Sequence, residues 1–321
     1  METPMQRYII RRLLLMIPTL LGVTFVVFVL VRSVPGSVVD LLGGDFGAAN
    51  AEAKEALKKE FGLDQNIPKQ YIDWMSDIVR FDFGKSIISD RTVSSELKNR
   101  LPVTLELGLL AIFFSLIIAI PIGVMSAIRQ DRIVDYAGRS LAIGLLAIPG
   151  FWLATILITL AGRYLTWGVP PKSYIEFTEN PIGNLRMMAV PAFILGAGLS
   201  GGVMRFTRSS MLEVLRQDYI RTAWSKGLRE RVIVVRHAMR NALIPVITVV
   251  GLQLPLVVGG SVIIEQVYSI PGMGRYYISS VNQHDYPVIQ AINILVASVV
   301  VFTNLGVDLL YSVLDPRIRY S

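Results

Sequence analysis

Few residues of this chain have the types and spacing that catalysis or metal binding requires. Gly84-Lys85-Ser86 could close a phosphate-binding loop, but that loop needs a glycine five residues before Gly84, and position 79 is Val. His237 and His284 lie on opposite sides of an apolar run long enough to cross a membrane, so they cannot share a metal ion. The chain has no cysteine, which excludes disulfides and thiolate ligands. We therefore predict no catalytic residue, no metal site and no cofactor in this chain.

Three acidic residues, Glu106, Glu265 and Asp308, lie within apolar runs or at their ends. A charge at the centre of a bilayer costs about 2.5–3.5 kcal/mol on insertion scales, so each carboxylate needs a partner or water. At a helical rise of about 1.5 Å per residue, Glu106 and Asp308 lie roughly 8–10 Å inside the ends of their runs. Two interpretations stay open: the carboxylates line a translocation path, or they form polar contacts between helices.

The strongest concentration of charge is in residues 205–240, which carry nine Lys or Arg against three acids in a chain of net charge +7. Such a segment could anchor the chain to anionic lipid, at about 1 kcal/mol per basic residue near the surface. An anchor needs charge but does not need Ala223, Gly227, Leu228 and Pro245 at set positions. We favour a structured surface that meets a cytoplasmic partner, and we expect no nucleic acid because the charge follows one side of the membrane.

The elements that carry these residues are membrane helices. Hydrophobic residues make up 53% of the chain and charged residues 17%, with a mean hydropathy of +0.54, whereas soluble proteins average about 25% charged residues. Six apolar runs approach the roughly 20 residues that cross a hydrocarbon core about 30 Å thick. They are residues 8–31, 101–128, 137–165, 188–204, 243–264 and 288–314, and the prolines that interrupt them include Pro121, Pro149, Pro191 and Pro255. The sequence predicts an all-α membrane protein with six transmembrane helices.

The distribution of basic residues among the connections predicts the orientation. Arg and Lys are frequent before the first run, between the second and third, between the fourth and fifth, and after the sixth, and they are sparse in the short alternate connections. Residues 32–100 contain ten basic and eleven acidic residues, and a loop of this length translocates largely regardless of its charge. We predict that both termini are cytoplasmic.

The long connection after the first run is predicted to be extracytoplasmic and to contain two helices. Asn50 can cap a helix that ends near Phe61, and Pro68 can open a second helix that has Tyr71 and Trp74 on one face. The loop either packs on the outer ends of the spans or contacts a partner. We predict a single transmembrane domain over residues 1–321, with residues 33–100 as an extracytoplasmic subdomain and residues 205–240 as a cytoplasmic loop.

Particular motifs extend this interpretation. Residues 205–240 contain Arg221-Thr-Ala-Trp-Ser-Lys-Gly227, continued by Arg236-His-Ala-Met-Arg-Asn-Ala-Leu-Ile-Pro245. Other motifs are Phe61-Gly-Leu-Asp64, Gln70-Tyr-Ile-Asp-Trp74, Arg100-Leu-Pro-Val-Thr-Leu-Glu106, Ile148-Pro-Gly-Phe-Trp152, Ser209-Ser-Met-Leu-Glu-Val-Leu215, Pro271-Gly-Met-Gly274, Asp285-Tyr-Pro287 and Asp308-Leu-Leu-Tyr-Ser-Val-Leu-Asp-Pro-Arg317. Through these motifs essentially the whole chain resembles the first membrane subunit of ABC-type oligopeptide and dipeptide importers.

The resemblance implies a type I importer permease in the plasma (inner) membrane of a prokaryote. Such a subunit pairs with a second, homologous permease subunit, two cytoplasmic ATP-binding subunits and an extracytoplasmic solute-binding protein. ATP and Mg²⁺ are then bound by the partner subunits, while this chain contacts membrane lipid and the peptide substrate. The resemblance also implies that a short helix in residues 205–240, ended by a left-handed turn at Gly227, couples the chain to the ATPases. Its coupling residues are Asp218, Arg221, Thr222, Ala223, Lys226, Gly227 and Arg231.

The chain departs from the family pattern at two places. Pro35-Gly36 is followed by Ser37-Val38, where the branch usually has Asp-Pro, and Arg221 stands where permeases at large carry Glu, as is common in the peptide branch. The same branch serves dipeptides, longer peptides, glutathione, nickel chelates and oligosaccharides, and the sequence does not choose among them. The alternatives are a gradient-driven secondary transporter, which favours inverted repeats and paired acids near mid-membrane, and a membrane scaffold without transport activity.

Overall fold

The computed structural model describes residues 4–33, 64–164, 168–171 and 173–314. In these ranges the backbone forms helices, and the β-type pairing is limited to an isolated antiparallel bridge between Lys85 and Thr92. In chain order the helices are α1 (Pro4–Ser33), α2 (Ile67–Val79), α3 (Val93–Ile128), α4 (Ile133–Ala147), α5 (Gly150–Tyr164), α6 (Pro181–Leu215), α7 (Asp218–Ser225), α8 (Glu230–Gly251), α9 (Leu254–Val267), α10 (Met273–Asn282) and α11 (Tyr286–Leu314). The predicted all-α class is confirmed.

Among the described residues, five helices are long and apolar enough to cross a membrane. They are Ile10–Ser33 within α1, the whole of α3, α6 and α8, and Tyr286–Val307 within α11. Pro121 and Pro191 lie inside α3 and α6 without ending either helix. These five helices account for five of the six predicted spans.

The third apolar run departs from the single helix that was predicted over residues 137–165. It forms α4 and α5, whose axes are bent by 93° at a short break, so it counts as a sixth span only if the two helices are taken together. The break falls at Ile148-Pro149 because proline disfavours the helical conformation at the residue before it, and Ile148 is extended (φ −81°, ψ 118°).

The fifth predicted span, residues 243–264, also has different bounds in the structure. The spanning helix α8 begins at Glu230 and ends at Gly251, and α9 begins afresh at Leu254. Pro255 lies in the first turn of α9, a position that suits proline because the N–H that it lacks has no partner within the helix there. Consequently the basic segment 205–240 is mostly helical: it contains the end of α6, the whole of α7 and the start of α8.

The chain divides into two compact units, of which the first comprises Met1–Pro102 and Arg275–Val301. In this unit α2 confirms the second helix predicted in the long connection, with Asn66 as its cap: the Lys69 N–H donates to Asn66 Oδ1 at 3.1 Å. Tyr71 and Trp74 pack against Phe28 of α1, with ring centroids 5.4 and 5.5 Å apart. This packing supports the interpretation in which this part of the loop lies on the end of a span. The helix predicted over residues 50–61 lies outside the described residues.

A buried carboxylate anchors the segment between α2 and α3 in the same unit. Asp285 is only 2% exposed, and it accepts hydrogen bonds from Ser86 Oγ at 2.6 Å and from the Ile87 N–H at 3.2 Å. Because both donors come from the part of the chain that precedes α3, Asp285 fixes this segment against the start of α11.

The second unit comprises Val103–Gly274 and Phe302–Ser321, and α6 is its central helix. Met188, Ala192 and Ile194 of α6 are buried in one core with Leu107 of α3 and Tyr268. Further along α6, Met211 belongs to a second core cluster that extends to α7 and α8. The helix therefore connects the core of this unit to the region predicted to contact ATPases.

Candidate functional site

Helix α7 is attached to the second unit by one narrow apolar face. Ile220 and Ala223 are buried, and they are three residues apart, which places them on the same side of a helix. They pack with Met211, Ile233 and Ala238 in one cluster. Ile233 and Ala238 belong to the π-helical turn Ile233–Ala238 of α8. The apolar spacing in α7 thus fixes which of its faces points away from the protein.

The C-terminal end of α7 is set by Gly227. This residue has φ +72°, a left-handed conformation that glycine adopts without the steric cost that a β-carbon imposes. The Gly227 N–H donates to the Trp224 carbonyl at 2.9 Å, and the Leu228 N–H donates to the Ala223 carbonyl at 3.4 Å. These two bonds form a Schellman motif, with Leu228 packed on the same apolar cluster as Ala223. The predicted short helix and its left-handed end at Gly227 are both present.

The outer side of α7 is polar and solvent-exposed. The side chains of Asp218 and Arg221 are 95% and 74% exposed and form a loose ion pair at 3.4 Å. The Thr222 hydroxyl donates to the Asp218 carbonyl at 3.0 Å, and Lys226 is exposed beyond the helix end. We call Asp218, Arg221, Thr222 and Lys226 the α7 face. An exposed ion pair contributes little to folding, so these charges are available to a partner.

Polar contacts hold α7 and α8 to neighbouring elements. Asn241 Nδ2 of α8 donates to the Tyr219 hydroxyl at 2.8 Å. Arg129, in the turn between α3 and α4, pairs with Glu230 at 3.2 Å at the start of α8. Arg231, the residue that follows Glu230 in α8, is exposed to solvent. The structure therefore gathers the predicted coupling residues into one region, in which Ala223 is part of the buried face and the others are exposed.

A buried ion pair near this region was not predicted. Asp135 of α4 is fully buried and accepts two hydrogen bonds from Arg208 of α6, each at 2.7 Å. It also accepts bonds from the Ser126 hydroxyl and the Asp131 N–H. The signal in the sequence was an acid and an arginine that each border an apolar run, but nothing in their spacing identified them as partners. The pair joins α4 to the part of α6 that leads to α7.

Glu265 lies in α9 and is fully buried. Its Oε1 accepts hydrogen bonds from Thr104 Oγ1 at 2.7 Å and Ser261 Oγ at 2.9 Å. The Thr104 oxygen in turn accepts the Met273 N–H at 2.8 Å. A β-carbon at Gly272 would meet the Glu265 carboxylate. These contacts connect α9 with α3 and with the start of α10. For Glu265 they agree with the interpretation in which the carboxylate forms polar contacts between helices.

Glu106 lies in α3 and also contacts other elements. Its Oε2 accepts hydrogen bonds from the Tyr174 hydroxyl at 3.3 Å and from Asn184 Nδ2 of α6 at 3.4 Å. Burial, together with the nearby Glu106 carboxylate, raises the pKa of Tyr174 to about 12, so the phenol remains a donor at neutral pH. Asp308 lies on α11, and its side chain is outside what the structure describes.

Within the described ranges, no three His, Asp or Glu residues are grouped in a way that could hold a metal ion. His237 lies in the π-helical turn of α8, and His284 follows α10. The region around α7 has a buried apolar side and an exposed charged side.

Comparison with known proteins identifies two family models that together match most of the chain. The model described as "Binding-protein-dependent transport system inner membrane component" matches residues 119–320, which include α7. The model described as "Binding-prot-dependent transport system membrane comp, N-term" matches residues 5–108.

Two curated relatives are similar along their whole length. The oligopeptide transport system permease protein AppB of Bacillus subtilis is 42% identical over 320 residues, which cover 98% of this chain and 100% of that protein. The dipeptide transport system permease protein DppB of Escherichia coli is 36% identical over 342 residues, which cover 99% of this chain and 100% of that protein. The resemblance inferred from the sequence motifs is confirmed.

Proposed function

This chain belongs to the family of binding-protein-dependent transport system inner membrane components, and we propose from that premise that it is a permease subunit of an ATP-driven importer of dipeptides or oligopeptides. Relatives named as oligopeptide and dipeptide permeases, similar over their full length, support the choice of substrate. The family consists of membrane transport components, as expected for a chain that is not an enzyme. It does not support the alternatives of a gradient-driven carrier or a scaffold without transport activity.

The observation that carries the coupling mechanism is the geometry of α7. Its buried residues Ile220 and Ala223 fix the helix to α6 and α8, while the α7 face is left exposed. A partner that moves this face therefore moves the helix as a rigid body, together with the spans against which it packs. We propose that the partner is a cytoplasmic ATPase whose closure on ATP is transmitted through α7 to α6 and α8.

The other subunits follow from the same proposal. A second, homologous permease subunit supplies the other half of the path, two ATP-binding subunits bind ATP and Mg²⁺, and a solute-binding protein delivers peptide from outside. Both termini of this chain and residues 205–240 then lie in the cytoplasm, and residues 33–100 lie outside. The excess of basic residues in 205–240 supports this orientation.

The buried apolar side of α7 also favours coupling over simple anchoring to lipid. A basic segment that only binds anionic lipid needs no buried side chains and no fixed helix end. Here Ile220 is fully buried, and Gly227 ends α7 in a Schellman motif. Rigid attachment of this kind is required for transmitting a movement and is not required for electrostatic adhesion.

Replacement of Gly227 tests the proposal. A β-branched residue strongly disfavours φ +72°, so Gly227→Val should shift the end of α7 and reduce peptide uptake at least tenfold. The matched control is Gly144→Val on α4, where a β-carbon meets nothing within 4 Å and the backbone is helical. Uptake of labelled dipeptide is measured in cells that hold equal amounts of each inserted variant. Full uptake by the Gly227 variant would contradict coupling through α7.

A further inference from the structure

The first compact unit contains a polar cavity that the coupling mechanism does not use. It has a volume of about 390 Å³ and lies among α1, α2, the turn after α2, and the start of α11. Small-molecule sites in proteins typically have volumes of about 300–1,000 Å³, so this cavity is large enough for a small ligand. Trp74, Phe83 and Pro287 supply its apolar lining.

One side of the cavity is acidic. Asp73 and Asp77 are one turn apart on α2, and Asp82 follows in the turn after that helix. Two like charges at this spacing repel each other and destabilise a helix. The carboxylates of Asp73 and Asp77 form no ion pair and accept no hydrogen bond from another residue in the part of the chain that the structure describes. The Asp82 carboxylate already accepts a hydrogen bond from the Gly84 N–H at 2.9 Å. A bound cation would relieve the repulsion between the carboxylates of Asp73 and Asp77.

The other elements contribute donors to the same cavity. Arg32 comes from the end of α1, and Gln290 comes from α11. Arg32 lies over the Phe28 ring at 5.3 Å and has no carboxylate partner among the described residues. Lys85, which also lines the cavity, is paired with Asp90 at 3.6 Å. Among the described residues that line the cavity, Arg32 is therefore a cation that no carboxylate pairs with, and it can receive an anionic group.

Four of the lining side chains have a buried polar atom that makes no hydrogen bond with the part of the chain that the structure describes. They are Arg32 Nε, Gln65 Oε1, Gln70 Oε1 and Gln290 Nε2, and Gln290 is only 4% exposed. Buried polar groups are almost always paired in folded proteins, and an unpaired one is costly. A polar ligand in the cavity could form hydrogen bonds with these four atoms after small rotations of their side chains.

We propose that this cavity binds a short peptide with free termini, with its ammonium group beside Asp73 and Asp77 and its carboxylate at Arg32 and Gln290. The separation of acidic and basic groups onto different elements suits a dipolar ligand rather than a simple anion or cation. Trp74 and Phe83 then contact an apolar side chain of the peptide. The choice of a peptide among dipolar ligands rests on the proposed transport function. The site would hold substrate on the permease itself, at the end of α1 and the start of α11.

Equilibrium dialysis of the full-length permease in lipid nanodiscs, without other subunits, tests this site. The probes are radiolabelled Ala-Ala, its N-acetyl derivative and its C-terminal amide. We expect saturable binding of Ala-Ala and at least tenfold weaker binding of either blocked form. Arg32→Gln should weaken Ala-Ala binding about tenfold, and the double variant Asp73→Asn/Asp77→Asn should do the same. The matched controls Arg80→Gln and Glu179→Gln change exposed residues outside the cavity and should bind like the unaltered chain.

The outcomes separate this site from the transport function. Absence of saturable binding, equal binding of the blocked peptides, or loss of binding in the controls as well would each overturn the proposed site. Monodisperse elution of each variant by size exclusion shows that its fold is retained. Peptide uptake by the complete transporter is measured in parallel: binding without uptake contradicts the transport function alone, and uptake without binding contradicts the site alone.

Discussion

At the scale of single residues, Glu265 shows how a carboxylate can be accommodated at the end of an apolar helix. Hydrogen bonds from Thr104 and Ser261 replace the water that the carboxylate would otherwise require. The same carboxylate occupies the space that a side chain at Gly272 would need, so this position excludes every residue with a β-carbon unless Glu265 moves. The glycine in Pro271-Gly-Met-Gly274 is thus explained by the acid seven residues before it.

We predict that Gly272→Ala destabilises the chain through this contact. Overpacking of a filled site costs about 1–3 kcal/mol, because the neighbouring groups must shift. In a Glu265→Ala background the carboxylate is absent, so adding Gly272→Ala should cost almost nothing further. The measurement is the midpoint of heat-induced aggregation of purified protein, with Gly259→Ala as the control because its β-carbon meets nothing within 4 Å. Additive effects of the two substitutions would show that the contact is not the cause.

The contacts of the buried acids could be predicted only in part. Apolar surroundings indicated that the carboxylates of Glu106, Glu265 and Asp308 each need a partner or water, and the structure gives partners for Glu106 and Glu265. The Asp135–Arg208 pair could not be predicted, since the two residues lie on different helices and either could have faced water. Hydrogen-bond partners far apart in the chain are fixed by the packing of helices, which local sequence does not specify.

At the scale of elements, α6 depends on close approach to its neighbours. A β-carbon at Gly196 would collide with the Ala111 carbonyl oxygen of α3 and with Phe114, whereas a β-carbon at Gly198 meets nothing within 4 Å. Small residues at helix contacts allow this approach in membrane proteins. The glycines of the fourth apolar run therefore have different roles although they are two residues apart.

We predict opposite effects for alanine at these two positions. Gly196→Ala should destabilise the chain by about 1–3 kcal/mol, because backbone atoms cannot rotate out of the way. Gly198→Ala should be neutral or stabilise it slightly, since alanine is favoured over glycine in a helix interior by about 1 kcal/mol. The measurement is the midpoint of thermal unfolding of each variant in the same detergent. Equal effects at both positions would contradict the proposed packing of α6 on α3.

The limits of sequence-based prediction are also visible in these elements. Hydrophobicity located five spanning helices, and turn chemistry located the first turn of α2 at Pro68 and the end of α7 at Gly227, but not the cap of α2 at Asn66. The runs around Pro149 and Pro255 were predicted as continuous spans, because hydropathy responds to composition and not to the backbone conformation that proline imposes. Pro121 and Pro191 remain within helices, so proline alone did not determine where a break occurs.

At the scale of the whole molecule, the motif in residues 221–227 indicated the region that we propose for coupling, but it did not show how the region is attached. The packing of Ile220 and Ala223 of α7 against α8 is visible only in the three-dimensional structure of the second unit. The family model that matches residues 119–320 includes this exposed, charged helix between two spans. The proposed coupling rests on the buried apolar side of α7 and on its accessible charged face.

The most direct test of this account is the accessibility of the α7 face in the assembled transporter. The chain has no cysteine, so Thr222→Cys places a single thiol on this face, and Thr178→Cys places an exposed control thiol before α6. Maleimide labelling is measured in membranes that contain the permease subunits with and without the ATP-binding subunits. We predict at least tenfold slower labelling at position 222 when the ATP-binding subunits are present, and no change at position 178. Equal labelling rates at position 222 under both conditions would contradict coupling through α7.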